Sequence, residues 1–227
     1  MELILDTANL EKIAYALDLY PISGVTTNPS IFEKEKTTDF FTHFRAIRQL
    51  IGFERSLHIQ VIGDSAQAIL ADAKAILEKV DKEVYIKIPC TPQGIKAMKI
   101  LKAQGVHVTA TAIYSKLQAH MSVMVGVDYL APYVNRMDNL DIDPIESMKS
   151  MVQFITQSKA STKVVAASFK NLSQINEAIN CGVQAITVDP SLIDEIFKFP
   201  SLTKAVSDFK HDFESLFGEG ATIATLK

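Results

Sequence analysis

The 227-residue chain reads as an α/β fold, a single (β/α)8 TIM barrel followed by one extra C-terminal helix. Three observations carry that expectation. Short β-branched apolar runs alternate with longer segments of helical period, giving eight candidate strands. They are spaced by roughly 21 to 35 residues, about the length of one strand, one helix and two loops. No two of these runs are joined by a two-residue hairpin turn, so neighbouring strands should be parallel with crossover helices. The competing open, doubly wound sheet would carry a glycine-rich GxGxxG turn after its first strand, and the sequence has none there.

In chain order the strands fall at Leu3–Leu5, Gly24–Thr27, Leu57–Ile62, Val84–Ile88, Val106–Thr111, Tyr129–Val134, Lys163–Ala167 and Ala185–Val188. The helices between them carry their own start and stop signals. Ser30 to Glu33 and Ser115 to Gln118 fit the capping box, in which the first side chain bonds the backbone N–H three residues on. Thr91-Pro92, Asp143-Pro144 and Asp189-Pro190 each place an N-cap before a proline at the first helical position. Gly105 and Gly182 stand just past helical stretches, as C-terminal caps do. Leu202, Val206, Phe209, Phe213, Leu216 and Phe217 mark a last amphipathic helix over about 201–217, and 218–227 reads as a tail. No linker-like shift of composition interrupts the chain, so 1–227 is expected to be one domain.

Composition narrows the partners. The apolar content, 48%, is that of an ordinary globular protein, and 23 basic against 26 acidic residues give a net charge of −3. Nucleic acid and anionic membranes are normally met by a basic excess, so neither is expected. The two cysteines, Cys90 and Cys181, lie too far apart for a CxxC site and suit a reducing cytoplasm. The acidic first residues are unlike a secretory leader, and no apolar run approaches the ~18 residues of a membrane span. The five histidines, at 43, 58, 107, 120 and 211, form no HExxH pair, so no metal and no cofactor is expected.

Barrel enzymes do their chemistry at the carboxyl ends of the strands. Those ends here carry Asp6; Thr26, Thr27 and Asn28; Gln60; Lys87; Thr111; Tyr133 and Arg136; Ser168; and Thr187 with Asp189. Lys87 is the most informative of them, because it interrupts the apolar strand Val-Tyr-Ile-Lys-Ile-Pro. A lysine there either snorkels to the barrel end, joins a buried ion pair, or serves as a nucleophile. Desolvation favours the neutral amine, the form that condenses with carbonyl compounds. Convergence of polar groups on one rim favours the third reading.

Other conspicuous residues read more plainly. His58 and His107 alternate with Gln60 and Thr111 and are expected to be hydrogen-bonded core histidines, with Tyr85 packed in their layer. Cys90 reads as a buried small hydrophobe, Glu33 to Lys36 as a solvated surface, and Met121, Met124, Met148 and Met151 as packing.

Seven blocks, LDTAN, GVTTNPSIF, HIQVIG, VYIKIPCT, TATAIYS, YLAPYVNRMD and VVAASFKN, together resemble the motifs of the transaldolase family in order and spacing. The likeness is closest to its small-subunit branch, the fructose-6-phosphate aldolases, and runs from Met1 to at least Phe217. It implies a Schiff-base mechanism in which Lys87 condenses with a ketose or dihydroxyacetone. It implies that Asp6 and Asn28, with Thr27 beside them, bind donor hydroxyls and help handle protons. Gln60, Thr111 and Tyr133 would hold a catalytic water, with Tyr133 as acid and base. Arg136 and Ser168 would receive a substrate phosphate, and Lys170 stands where larger relatives place a second phosphate-binding arginine.

Transaldolases typically carry glutamate at the Gln60 position, phenylalanine at the Tyr133 position and often serine at the Ala131 position. The resemblance therefore favours reversible cleavage of fructose 6-phosphate over transfer of a dihydroxyacetone unit to a second sugar. A sugar-phosphate-binding pseudoenzyme would lack a catalytic member, and none is missing. The family also implies a homo-oligomer, often a decamer.

Overall fold

The computed structural model describes residues 1–226, so Lys227, the end of the expected tail, lies outside the described residues. The chain divides into two compact units, residues 1–190 and 191–227. The first contains eight strands and the helices between them. In order these are β1 (Glu2–Asp6), α1 (Leu10–Leu19), β2 (Ile22–Thr26), α2 (Pro29–Glu33), α3 (Phe40–Ile51), β3 (Ser56–Gln60), α4 (Ala66–Lys79) and β4 (Tyr85–Pro89). They continue as α5 (Pro92–Ala103), β5 (Val108–Ile113), α6 (Lys116–Val125), β6 (Tyr129–Pro132), α7 (Val134–Asp138), α8 (Pro144–Ser158), β7 (Lys163–Ala166), α9 (Leu172–Asn180) and β8 (Ala185–Val188). Each strand pairs in parallel with the next, and β8 returns to β1, closing the expected (β/α)8 barrel.

The strands read as nearly continuous apolar runs because both of their faces are covered. Outward-facing Leu5, Val25, Leu57, Ile86 and Ile88 are fully buried beneath the helices. Each such side chain stabilises the fold by roughly 1.5–3 kcal/mol. Inward-facing Ile4, Tyr129, Ala131, Val165 and Ala185, with Tyr85 against them, fill the middle of the barrel. The interior is thus a packed core, and space for chemistry remains only at its ends.

Capping chemistry sets the helix starts. Asn9, Asp39, Ser65, Thr91, Ser115, Asp143 and Asn171 each accept a backbone N–H of the first turn, and Ser115 with Gln118 makes the expected capping box. The other expected box is displaced. The cap of α2 is Asn28, whose Oδ1 accepts from the Ile31 N–H at 3.0 Å with Pro29 at the first helical position, so Ser30 is already helical. Glu33 to Lys36 is also more than a solvated face: Glu35 accepts from Asn9 Nδ2 at 3.0 Å, and Lys36 takes a left-handed backbone, φ 52°. Met148 and Met151 are core, but Met121 and Met124 are exposed, because α6 turns Ala119, Ser122 and Val123 inward instead.

The short helix α10 (Pro190–Glu195) begins after Asp189, as its proline signals. The second unit holds α11 (Pro200–Phe217), matching the expected last helix, and a single 3-10 turn at Ile223–Thr225. Lys204–Asp208 and Lys210–Glu214 pair along the outside of α11, and Phe213 meets Phe217 at 4.7 Å between ring centroids.

Candidate active site

The parallel register brings the polar strand ends together. Gln60 on β3 stands opposite Lys87 on β4, and Pro89, at the end of β4, stands opposite Thr111 on β5. Lys87 is 2% exposed, and its Nζ donates to the main-chain carbonyl of Thr27 at 3.1 Å. The amine thus hydrogen-bonds one backbone carbonyl, with the Asp6 carboxyl as a nearby opposite charge, an uncommon arrangement for a buried lysine in a purely structural role.

Alternation along β2 decides which threonine faces the amine. Thr26 points inward and donates to Asp6 Oδ1 at 2.7 Å, while its own oxygen lies 2.6 Å from the Thr187 hydroxyl. A hydroxyl has one proton, so the order is Thr187 to Thr26 to Asp6. The Thr27 hydroxyl instead turns away and donates to the His58 carbonyl at 3.2 Å, so Thr27 reaches the site through its backbone. Burial raises the Asp6 carboxyl above the ordinary carboxylate range; the positive charge of Lys87 and the Thr26 hydrogen bond oppose that shift, and Asp189 adds to it. Asp6 is therefore a carboxyl that takes up a proton readily beside a buried amine. Asn28 Oδ1 accepts one bond as a cap, and its Nδ2 can donate to a ligand.

Across the rim the Thr111 hydroxyl donates to Tyr133 Oη at 3.0 Å, which leaves the phenol's own proton for another acceptor. The pair depends on an irregularity in β5: Ala112 takes a left-handed backbone, φ 54°, and the pairing with β6 shifts between Ala110 and Ile113. Such a residue costs on the order of 1–3 kcal/mol and persists only where its surroundings enforce it. Gln60 Oε1 is buried and has no hydrogen-bond partner among the described residues. An orphaned buried acceptor costs roughly 1–3 kcal/mol, which a water or a ligand hydroxyl held there would recover.

Arg136, on α7, is exposed; its guanidinium carbon lies 4.6 Å from the centroid of the Tyr133 ring. Its Nη1 donates to Tyr114 Oη at 3.3 Å. Ser168 follows β7 in a second left-handed conformation, φ 65°, and its carbonyl accepts from the Asn135 N–H at 3.1 Å, tying it to the turn that bears Arg136. Lys170 is exposed before α9, with its backbone N–H on Gln174 Oε1 at 2.8 Å and its ammonium in no ion pair among the described residues. The rim therefore collects the expected residues, with Thr27 present through its carbonyl only. The sequence names Thr26 among the strand ends without a role and gives no sign of Tyr114. Thr26 was legible from the alternation of β2, whereas Tyr114 lies one position past its strand and carries no comparable signal.

Below this rim the two histidines part company. His58 is fully buried between two hydroxyls, Thr109 Oγ1 at 2.8 Å and Ser56 Oγ at 3.0 Å, and its ring stacks on Tyr85 at 4.7 Å. Burial foremost, then the charges of Lys87, Arg48 and His107, push it down to about 3, so it is neutral. His107 is not a core histidine. It precedes β5 at the opposite mouth, half-exposed, 3.6 Å from Glu83 and 3.9 Å from Asp128. A depression of about 600 Å³ at that mouth is lined by Tyr85, His107, Tyr129 and Lys163 and contains none of the rim residues. Cys90 is buried against Ser122 at 3.4 Å with its thiol pushed up by burial, so it is a packing residue. Among the described residues no helix is long and apolar enough to cross a membrane.

The rim thus combines a buried amine, a carboxyl that burial inclines toward its protonated form, a hydroxyl–phenol pair and a cation. Known proteins resemble the whole chain. A "Probable fructose-6-phosphate aldolase" of Streptococcus pneumoniae is 41% identical over 213 residues, 94% of this chain and 96% of its own. A "Probable transaldolase" of Brachyspira hyodysenteriae is 31% identical over 219 residues, 96% of this chain and 100% of its own. The family model for Transaldolase/Fructose-6-phosphate aldolase matches residues 3–226, the span that holds all but the first residue of the barrel and every rim residue, and the chain belongs to that family of enzymes.

Proposed function

We propose that the protein is a Schiff-base aldolase that reversibly cleaves fructose 6-phosphate into dihydroxyacetone and glyceraldehyde 3-phosphate. The observation that carries the reading is a buried lysine on β4 in the same rim as a Thr111–Tyr133 hydrogen bond and the orphaned Gln60 oxygen. The neutral amine of Lys87 attacks the ketone carbon of the sugar; the carbonyl oxygen leaves as water and an iminium remains. Abstraction of the C4 hydroxyl proton breaks the C3–C4 bond, releases the aldehyde and leaves its electron pair on the lysine as an enamine. Protonation of the enamine carbon and addition of water to the iminium release dihydroxyacetone. Tyr133 supplies and recovers the proton through a water that Gln60 and Thr111 hold. Asp6 receives protons from the donor hydroxyls, and Asn28 Nδ2 donates to one of them. The substrate phosphate falls to Arg136 and Ser168, a fork of charged donors and a short hydroxyl, with Lys170 as an outlying cation.

Transfer of the dihydroxyacetone unit to a second sugar uses the same lysine, and a relative named as a transaldolase keeps that reading open. Gln60 and Tyr133 favour release: a phenol that protonates the enamine carbon ends the cycle without an acceptor sugar. The test assays fructose 6-phosphate with and without erythrose 4-phosphate. Release of glyceraldehyde 3-phosphate without the acceptor supports the aldolase, and turnover only in its presence assigns a transaldolase. The same reading makes the protein a cytoplasmic homo-oligomer. The exposed apolar residues Val206, Phe209 and Leu216 on α11 support the self-association.

A further inference from the structure

We infer that Tyr114 is a positioning residue that sets the preference for phosphorylated over unphosphorylated aldehydes by holding Arg136 across the face of Tyr133. The inference rests on the reading above, in which Arg136 receives the phosphate. Tyr114 follows β5 directly, two residues after left-handed Ala112. Its backbone N–H donates to Gln118 Oε1 at 3.0 Å, an oxygen that also accepts the Ser115 N–H at 3.1 Å, while Gln118 Nε2 donates to the Cys90 carbonyl at 3.1 Å. The base of the tyrosine is thus fixed to the start of α6 and the end of β4.

From that fixed base the side chain touches both functional groups. Its ring meets the Tyr133 ring edge to face, with centroids 5.7 Å apart at 81°. Its hydroxyl accepts from Arg136 Nη1 at 3.3 Å, and the guanidinium lies over the other ring at 4.6 Å. An exposed arginine ordinarily loses much rotamer entropy when a ligand immobilises it. Here one nitrogen and one face of the guanidinium are already engaged, so much of that ordering is complete before the phosphate arrives. The remaining nitrogens, Nε and Nη2, donate to no acceptor among the described residues and supply a fork for phosphate oxygens. Tyr133 is the surface against which the arginine rests, so the anchor for the phosphate and the acid–base phenol keep a fixed separation.

Tyr114→Phe tests this, because it keeps the ring edge and removes only the acceptor. In the synthesis direction, with dihydroxyacetone, kcat/KM is measured for glyceraldehyde 3-phosphate and for glyceraldehyde. The ratio of the two should fall about 3- to 10-fold, the worth of one hydrogen bond, through KM for the phosphorylated aldehyde. In an Arg136→Ala background the same substitution should leave the ratio where Arg136→Ala alone puts it. An unchanged ratio in Tyr114→Phe, an equal loss with both aldehydes, or an effect that persists in full without Arg136 overturns the inference. Failure of the aldolase reading shows separately, as wild-type protein that does not join the two substrates. In that case binding of inorganic phosphate, read by thermal shift, carries the same comparison: Tyr114→Phe should weaken it by the same factor, and equal binding refutes the role.

Discussion

His58 gives the most quantitative prediction. Its ring is buried and neutral, with its titration displaced from 6.5 to about 3. A base whose folded-state value is depressed contributes stability that is complete above its unfolded value and is lost as pH falls toward the folded one. The loss therefore begins near pH 6.5 and runs down toward pH 3. Each unit of displacement is worth 1.36 kcal/mol, so lowering the pH to about 4.5 removes about 2.7 kcal/mol through this one residue. His58→Phe keeps a ring against Tyr85 but strands the Thr109 and Ser56 hydroxyls, at about 1–3 kcal/mol that does not depend on pH. Urea unfolding of wild type and variant at pH 7.0 and 4.5 gives four free energies. The variant should be the weaker protein at neutral pH, yet its loss on acidification should be smaller by about 2.7 kcal/mol. The titration of all other groups cancels in that comparison. Equal losses on acidification would show that His58 is not held neutral by the fold, and the account of the barrel interior would be wrong.

Other consequences follow from the rim. Asp6→Asn removes a carboxyl that burial holds above its ordinary range, so near neutral pH its charged form costs stability that asparagine does not. Thermal melts should give a Tm equal to or above wild type while turnover falls; a clear drop in Tm would mean that the carboxylate is a structural anchor. Tyr133→Phe should lower aldol cleavage by about 10²–10⁴-fold, the usual worth of a positioned acid–base group, and lower transfer to an acceptor sugar much less. Equal losses in the two assays would contradict the proton role. Tyr114→Phe, as set out above, should act on the selectivity for phosphorylated aldehydes, and only while Arg136 is present.

Much of this was legible in the amino-acid order because a barrel leaves a simple trace. Each strand is covered on both faces, so Leu57, Ile59, Ile86 and Ile88 stand out as apolar runs, and Lys87 within one of them is conspicuous. Helix starts were legible where cap and proline coincide, as at Thr91-Pro92 and Asp143-Pro144. The misreadings have local physical causes. Ser30 to Glu33 has the letters of a capping box, but Asn28 with Pro29 is the stronger cap and starts the helix earlier. Thr27 stands out beside Asn28, yet the alternation set by Asp6 and Thr187 places Thr26 inside. By sequence β5 ends at Thr111, because nothing about an alanine announces the left-handed backbone that carries the strand on to Ile113. Tyr114, which follows that irregularity, carries no signal for the same reason. His107 has the alternation of an inward residue but precedes the first paired residue of β5, where alternation no longer governs direction.

The central claim is that Lys87 is the amine that bonds to the substrate. Incubation with dihydroxyacetone and borohydride, then peptide mass spectrometry, tests it most directly. A mass gain equal to one reduced dihydroxyacetone unit on the peptide containing Lys87, absent in Lys87→Met, is the predicted result. Unmodified protein, or an adduct on any other lysine, would contradict it.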